Sequence, residues 1–217
     1  MARAIRLPDS RLAWLDQVHG AAVVSVGSGG CAGRADALIT HETDLALLIA
    51  VADCGPVLLW DEVAGIIAAA HAGWRGTIAG VCEQTVDAMR ESGAEPARMK
   101  AWIGPCIGAA HFEVGEEVAV RFEPEFVRQP GNDRTRPHID LAAAIHQRLR
   151  DAGVADTRIR GAKQCTFEME DRYWSYRRDR GICGRQLAWI MRSASQVPAK
   201  RPSTAPRSTR PDASRAS

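Results

Sequence analysis

Residues 45–72 read LALLIAVADCGPVLLWDEVAGIIAAAHA, and the fold class turns on how that stretch divides. Leu45–Ala52 is continuously apolar, as a strand covered on both faces must be. Val57–Trp60 and Gly65–Ala70 predict two further strands, with Asp61-Glu62-Val63-Ala64 as the hairpin turn between them. Downstream, Thr77–Ser92 carries Ile78, Val81, Val86 and Met89 at roughly helical spacing, and Gly93 closes it. Lys100–Ile103 predicts a strand and Gly115–Phe122 a helix. Asp140–Ala152 predicts a helix with Asp140 as N-cap, Gly153 as stop, and Leu141, Ala144, Ile145 and Leu149 facing inward. Gln186–Met191 predicts a last strand. Upstream, Ala13–Val18 and Ala21–Val26 read as short strands around the turn Gln17-Val18-His19-Gly20, followed by a loop at Gly27–Gly30 and a short apolar run at Ala37–Thr40. Strands alternate with single helices and hairpins are mixed in. The class is therefore α/β with a mixed sheet, not a clean repeat of strand and crossover helix.

The chain has 217 residues, with 46% hydrophobic and 25% charged, enough for one well-buried core. Residues 193–217 hold four prolines, six serines and one branched aliphatic, Val197, so they predict a disordered tail behind a single folded domain at 1–192. The tail also holds Lys200, Arg201, Arg207, Arg210 and Arg215 against Asp212; of 28 basic and 26 acidic residues, 23 and 25 remain in the body. A body of net −2 carries no nucleic-acid footprint. No apolar run approaches the roughly 20 residues of a membrane-spanning helix, and no export signal is visible. The expectation is a cytoplasmic protein with no membrane partner, whose six cysteines are free thiols or metal ligands rather than a disulfide framework.

Three residues with metal-ligand chemistry share one setting. His19 lies in the first turn, Cys54 follows the apolar strand, and His71 ends the strand at 65–70. If 45–52 and 64–70 are neighbours in one sheet, Cys54 and His71 meet at strand ends. Two imidazoles and one thiolate suit zinc, and three protein ligands leave a fourth position open, as in catalytic sites. The intervals match no local zinc motif. An inert core cysteine and hydrogen-bonded histidines therefore stand beside the ligand reading. Gly73 and Gly76 bracket Trp74-Arg75 before a helix expected near Thr77. That predicts either an oxyanion or phosphate pocket with Arg75 as bidentate donor, or an ordinary turn. Cys106 reads as a reactive or a structural thiol. Tyr173–Asp179 reads as a surface that stacks and pairs a nucleotide-like substrate, or as a packed surface strand. Several readings fail outright. There are six histidines and no His-x-His pair for a multicopper centre. Pro105-Cys106 is followed by Ile107-Gly108-Ala109 rather than the deaminase C-x-x-C. No G-x-S-x-G elbow and no P-loop occur.

Taken in order, eight blocks resemble the YfiH family, also called the laccase-domain or polyphenol oxidoreductase family and, in bacteria, the peptidoglycan-editing factor. They are Gln17-Val18-His19-Gly20, Ala35–Thr40, Ala52-Asp53-Cys54-Gly55-Pro56-Val57, His71-Ala72-Gly73-Trp74-Arg75-Gly76, Ile103–Gly108, Phe112–Gly115, Gln164-Cys165-Thr166 and Ser175–Asp179. The resemblance implies an α/β layered sandwich with mixed sheets and a zinc site of His19, Cys54 and His71, with copper as the other candidate ion. It implies a purine nucleoside enzyme: phosphorolysis of adenosine, inosine or methylthioadenosine, and adenosine deamination. Purine nucleosides and phosphate are then the partners of a monomer or homodimer. Cys54, His71 and Arg75 would carry the chemistry, Asp36 and Arg75 would bind substrate, and Asp53 would orient a metal ligand from behind. Three alternatives stand: a copper-dependent polyphenol oxidoreductase; a cysteine hydrolase with Cys54 as nucleophile and His71 as base, acting on cell-wall precursors; and a non-catalytic quality-control protein. Members usually begin with a further stretch holding an F-T-T-R-x-G-G-like segment whose arginine lines the site. This sequence starts close before Q-V-H-G, so that arginine and one or more strands are expected to be missing. The family's C-C-Y-E-V-G block here reads Ala110-His111-Phe112-Glu113, which makes His111 an extra ligand or a surface histidine.

Overall fold

The computed structural model describes residues 7–129 and 136–194. Its strands and helices run in the order β1 (Leu12–Asp16), β2 (Val23–Ser25), β3 (Gly30–Arg34), β4 (Ala37–Thr40), β5 (Ala46–Val51), β6 (Gly55–Asp61), β7 (Ile66–Ala72), α1 (Trp74–Ala79), α2 (Val81–Glu91), β8 (Lys100–Ile103), α3 (Glu116–Ala119), β9 (Val127–Arg128), β10 (His138–Ile139), α4 (Leu141–Asp151), β11 (Ile159–Gly161) and β12 (Gln186–Met191).

The stretch 45–72 forms three strands, as its composition predicts, but divides them between two sheets. β5 belongs to a four-stranded sheet of order β12-β5-β1-β3, whereas β6 and β7 belong to a six-stranded sheet of order β11-β8-β6-β7-β4-β2. The expected neighbourhood of 45–52 and 64–70 in one sheet is thus corrected. Both edges of β5 are taken, by parallel β1 and antiparallel β12. Both edges of β7 are taken by antiparallel β4 and β6. The chain crosses from one sheet to the other at residues 52–54, and Cys54 sits on that crossing. The hairpin at 61–64 forms where expected. Asp61 Oδ1 accepts from the backbone N–H groups of Val63 (2.9 Å) and Ala64 (3.2 Å).

The two-residue period of a strand sorts the layers. On β7, Ile67 and Ala69 point into a core shared with Leu47, Ile49 and Val51 of the other sheet. Ile66, Ala68, Ala70 and Ala72 point the other way, into the core shared with α2 and α4. The result is three layers: helices, the six-stranded sheet and the four-stranded sheet. Both sheets mix parallel and antiparallel pairs, in keeping with the expected mixed α/β sandwich. By the same alternation His71 shares the face of Ile67 and Ala69, at the open end of the inter-sheet core.

Asp140 caps α4, accepting from Ala143 N–H at 3.1 Å, and Leu141, Ala144, Ile145 and Leu149 are buried as their spacing predicts. The helix expected over 77–92 begins instead at Trp74 and is broken by Gly80 at φ +88°, which ends α1 and opens α2. An L side chain is strained at that angle, so a glycine marks the break. Within 115–122 only Glu116–Ala119 is helical. Among the described residues no helix is long and apolar enough to cross a membrane. The tail expected from 193 lies, from residue 195 onward, outside the described residues.

Candidate metal centre

The site is assembled where three chain segments meet at the open end of the inter-sheet core. The first leaves β1 at Gln17. That side-chain amide takes over from the backbone: it donates to Ala50 O and accepts from Ala50 N–H, both at 2.9 Å. The sheet pairing of β1 with β5 is thereby prolonged by one side chain, and the chain is free to turn. His19 takes φ +60°, an uncommon angle for a residue with a Cβ. The turn is held from within by Asp36. Its carboxylate accepts from the backbone N–H groups of Val18 (3.3 Å), His19 (2.9 Å) and Gly20 (2.6 Å).

The same carboxylate contacts His71 Nδ1 at 2.8 Å, and Asp36 O accepts from the His71 N–H at 2.7 Å. Both residues are buried. With Nδ1 held, Nε2 is the nitrogen left to bind. Burial pushes the Asp36 carboxyl up, but the bonds from His71, Gly20 and His19 outweigh it and hold the group below its ordinary value. Burial pushes His71 down, and the bonds to Asp36 and Cys54 outweigh that and raise it to about 9. Asp36 is 0% exposed and both its oxygens are taken, so the expected contact with ribose or purine is corrected. It holds the first turn against His71 instead.

The second segment is the crossing between sheets, where Asp53 takes φ +79°. The resemblance assigns Asp53 to orient a metal ligand from behind, but the bonds of its carboxylate run to another segment. It accepts from Thr166 Oγ1 (2.6 Å), Ser175 Oγ (3.1 Å) and Arg177 N–H (2.7 Å). Asp53 therefore fastens the late segment 166–177 to the crossing. The two acids have exchanged their expected places: Asp36 positions a histidine, and Asp53 positions a wall.

Ligand-type atoms of His19, Cys54 and His71 all lie within 4.8 Å of one another. The two imidazole rings meet edge to face, with centroids 4.8 Å apart. Burial pushes the Cys54 thiol up, but His19 and His71 more than offset it and bring it down to about 7. The third segment provides the space. A Cβ on Gly73 would lie 2.7 Å from Cys54 Sγ and 3.5 Å from the His19 ring, so only glycine leaves this cradle open. Two imidazoles, an ionisable thiol and a cradle that a methyl group would fill form a donor set able to hold a metal ion.

The cluster opens into a cavity of about 640 Å³ whose walls include Trp74, Arg75, Phe112, Tyr176, Arg177 and Arg185. That is a size proper to small-molecule sites, which run from about 300 to 1,000 Å³. Arg75 lies within α1 rather than in the turn before it, its guanidinium 4.2 Å from the Trp74 ring centroid. The stretch 173–179 is irregular chain leading into turns at 176–179, not a strand. Arg178 is spent on Asp179 and on the carbonyls of Thr166, Phe167 and Tyr173. Arg177 reaches the cavity, with Nη1 donating to Glu113 O at 2.7 Å. Cys106 is buried, and burial pushes its thiol up to about 12, the state of an inert core cysteine. Sequence reasoning assigned no role to Gln17, Phe112 or Arg185. Gln17 and Phe112 lie in blocks it quoted, whereas nothing local marks Arg185.

Residues 1–193 match the family model described as multi-copper polyphenol oxidoreductase laccase. The chain is similar to a purine nucleoside phosphorylase of Deinococcus radiodurans, 41% identical over 191 residues, covering 88% of this chain and 74% of that protein. It is similar to purine nucleoside phosphorylase SCO2081 of Streptomyces coelicolor, 42% identical over 195 residues, covering 87% of this chain and 78% of the relative. Among solved structures it superposes on the hypothetical protein YfiH of Bacillus licheniformis. That match has a TM-score of 0.83 at 27% identity and covers 88% of this chain and 78% of the other.

Proposed function

The chain belongs to the YfiH family, the one described as multi-copper polyphenol oxidoreductase laccase, and on that premise we propose that it is a zinc-dependent purine nucleoside phosphorylase. One observation carries the reading: a His19–Cys54–His71 donor set opens into a cavity with both cations and aromatic faces. The two relatives reported above, both named purine nucleoside phosphorylase, support it, and both have more than two thirds of their length covered.

His19, Cys54 and His71 would hold the ion. Two imidazoles and one thiolate suit zinc and would also suit a single copper ion, but a multicopper centre needs further histidine-rich groups. Among the described residues no group of candidate ligands contains three histidines. A zinc ion bound there supplies a Lewis acid at the floor of the cavity. Everything else is the work of the chain. Asp36 locks the His71 tautomer, as partners of metal-bound histidines generally do. Arg75 offers a planar, two-pronged donor to phosphate oxygens. Trp74 and Tyr176 present aromatic faces to a purine base, and Phe112 closes the apolar side. Arg177 adds a second positive charge on the wall that Asp53 fastens. Together these groups orient nucleoside and phosphate and stabilise the negative charge that builds as the glycosidic bond breaks. All six cysteines are free, as suits a reducing, cytoplasmic setting.

The test is product identification on metal-quantified protein given adenosine, with and without phosphate. Adenine that appears only with phosphate is the expected result, and His71→Ala should lose zinc and turnover together. Inosine would make the enzyme a deaminase. Phenol oxidation that requires copper and oxygen, with no nucleoside turnover, would overturn the reading.

A further inference from the structure

A second group of donors stands apart from the first. It is built on two turns that lie back to back. In one turn, 108–112, the N–H groups of His111 and Phe112 both donate to Gly108 O at 3.0 Å. In the other, Met169 N–H donates to Cys165 O at 3.1 Å, so Cys165 and Glu168 sit on one turn of chain. The turns are joined by a parallel bridge between Cys106 and Cys165, with Thr166 N–H donating to Cys106 O at 3.0 Å. Across this joint, ligand-type atoms of His111, Cys165 and Glu168 all lie within 4.8 Å of one another.

Three details go beyond proximity. Gly108 N–H donates to Cys165 Sγ at 3.1 Å, which holds the sulfur at the joint between the two turns. The fit is tight, since a Cβ on Gly108 would stand 3.2 Å from the same sulfur and push it back by a few tenths of an ångström. His111 is stacked on Phe167, with centroids 4.3 Å apart and planes at 12°, so its ring is fixed before any ion arrives. Its Nε2 lies 3.0 Å from Glu168 Oε1. Ligands around a tetrahedral zinc ion lie about 3.4–3.7 Å apart, given zinc–ligand bonds of about 2.0–2.3 Å. Sub-ångström to ångström shifts of three partly exposed side chains would close such a shell.

We propose that His111, Cys165 and Glu168 form a second site for a divalent transition-metal ion, with zinc as the natural occupant and a fourth position open to water. Imidazole, thiolate and carboxylate are each ordinary zinc ligands, and their mixture excludes calcium and magnesium, which take oxygen alone. The site is structural. It clamps the turn 108–112 to the turn 165–168, and Arg177 Nη1 bonds the carbonyls of His111 and Glu113 on the clamped side. The ion would therefore steady an arginine of the cavity without touching substrate. The proposal does not rest on the reading of the first site.

The experiment uses the full chain, stripped with a chelator and titrated with cobalt(II), whose thiolate charge-transfer band reports sulfur ligation. Wild type is expected to take two ions per chain. The double variant Cys54→Ser/His71→Ala, checked for folding by circular dichroism, should take one ion and keep a thiolate band. Adding Cys165→Ser should abolish that band, and His111→Ala or Glu168→Gln should weaken the remaining ion by tenfold or more. Should the double variant not fold, Cys165→Ser alone must lower the stoichiometry of wild type by one ion. A thiolate band in the double variant that survives Cys165→Ser overturns the proposal, as does a wild type whose stoichiometry and thiolate band are both unchanged by that substitution.

Discussion

Replacing Gly73 with alanine tests the metal centre at its tightest point. Gly73 has φ −77° and ψ 172°, a conformation any residue adopts, so the substitution carries no backbone strain. Its whole effect is the new Cβ, 2.7 Å from Cys54 Sγ, 3.5 Å from His19 Cδ2 and 3.6 Å from Cys54 Cβ. Ordinary contacts between such atoms lie at about 3.5–4.0 Å. Cys54 must therefore retreat by most of an ångström, away from the two imidazoles. Overpacking of this kind costs about 1–3 kcal/mol. Where the strain falls on ligand geometry, it weakens zinc by about 5- to 150-fold, at 1.4 kcal/mol per decade. Gly73 is also the N-cap of α1, where alanine is poorer than glycine by up to about 1 kcal/mol. Gly73→Ser separates the two effects, because serine caps well yet carries the same Cβ. The assay is competition for zinc against a chromophoric chelator, with a thermal melt beside it. Both variants should bind zinc more weakly, while only the alanine loses the capping contribution. A folded Gly73→Ser protein that binds zinc within twofold of wild type would refute the reasoning.

Asp36→Asn breaks a buried pair and should cost about 3–5 kcal/mol of stability. In metal-free wild type, the raised His71 contributes stability that is full below 6.5 and lost as pH rises through about 9. The lowered Asp36 contributes stability that is full above 3.8 and lost as pH falls below it. Urea unfolding of the metal-free variant across pH should show both slopes flattened, and unchanged slopes would count against the pair. Thr166→Val removes the donor to Asp53 Oδ1, at about 1.5–3 kcal/mol for a bond to a charged group. Substrate KM should rise as the wall bearing Arg177 loosens, with zinc content unchanged by metal analysis. Arg75→Ala should raise the KM for phosphate by about 10- to 100-fold, as expected for loss of a bond to a charged group worth about 1.5–3 kcal/mol. Its KM for adenosine should stay close to wild type.

What could be read in advance was whatever burial writes into local pattern. The strands around Leu47, Leu59 and Ala68, and the capped helix after Asp140, carry their periodicity on their face. The partition of β5 and β7 between two sheets left no such trace. An apolar run looks the same whether its partner is beside it or across a core, and Asp53-Cys54-Gly55 looks like any loop. The helix break at Gly80 was masked by apolar spacing that continues through it. β3 was missed because Gly30–Arg34 contains almost nothing apolar to alternate. The exchanged roles of Asp36 and Asp53 are the clearest case. Asp36 meets His71 across 35 residues and Asp53 meets Arg177 across 124, separations that no spacing rule spans.

All three donors of the metal centre come from the first third of the chain, ending at His71, in segments that emerge from the ribosome early. The wall that Asp53 fastens lies at 166–177, roughly a hundred residues later. The edge strand β12, which completes the four-stranded sheet, comes later still. The stretch that supplies the donors and the stretch that walls the cavity are thus separate in sequence, so a change in one can leave the other's chemistry intact.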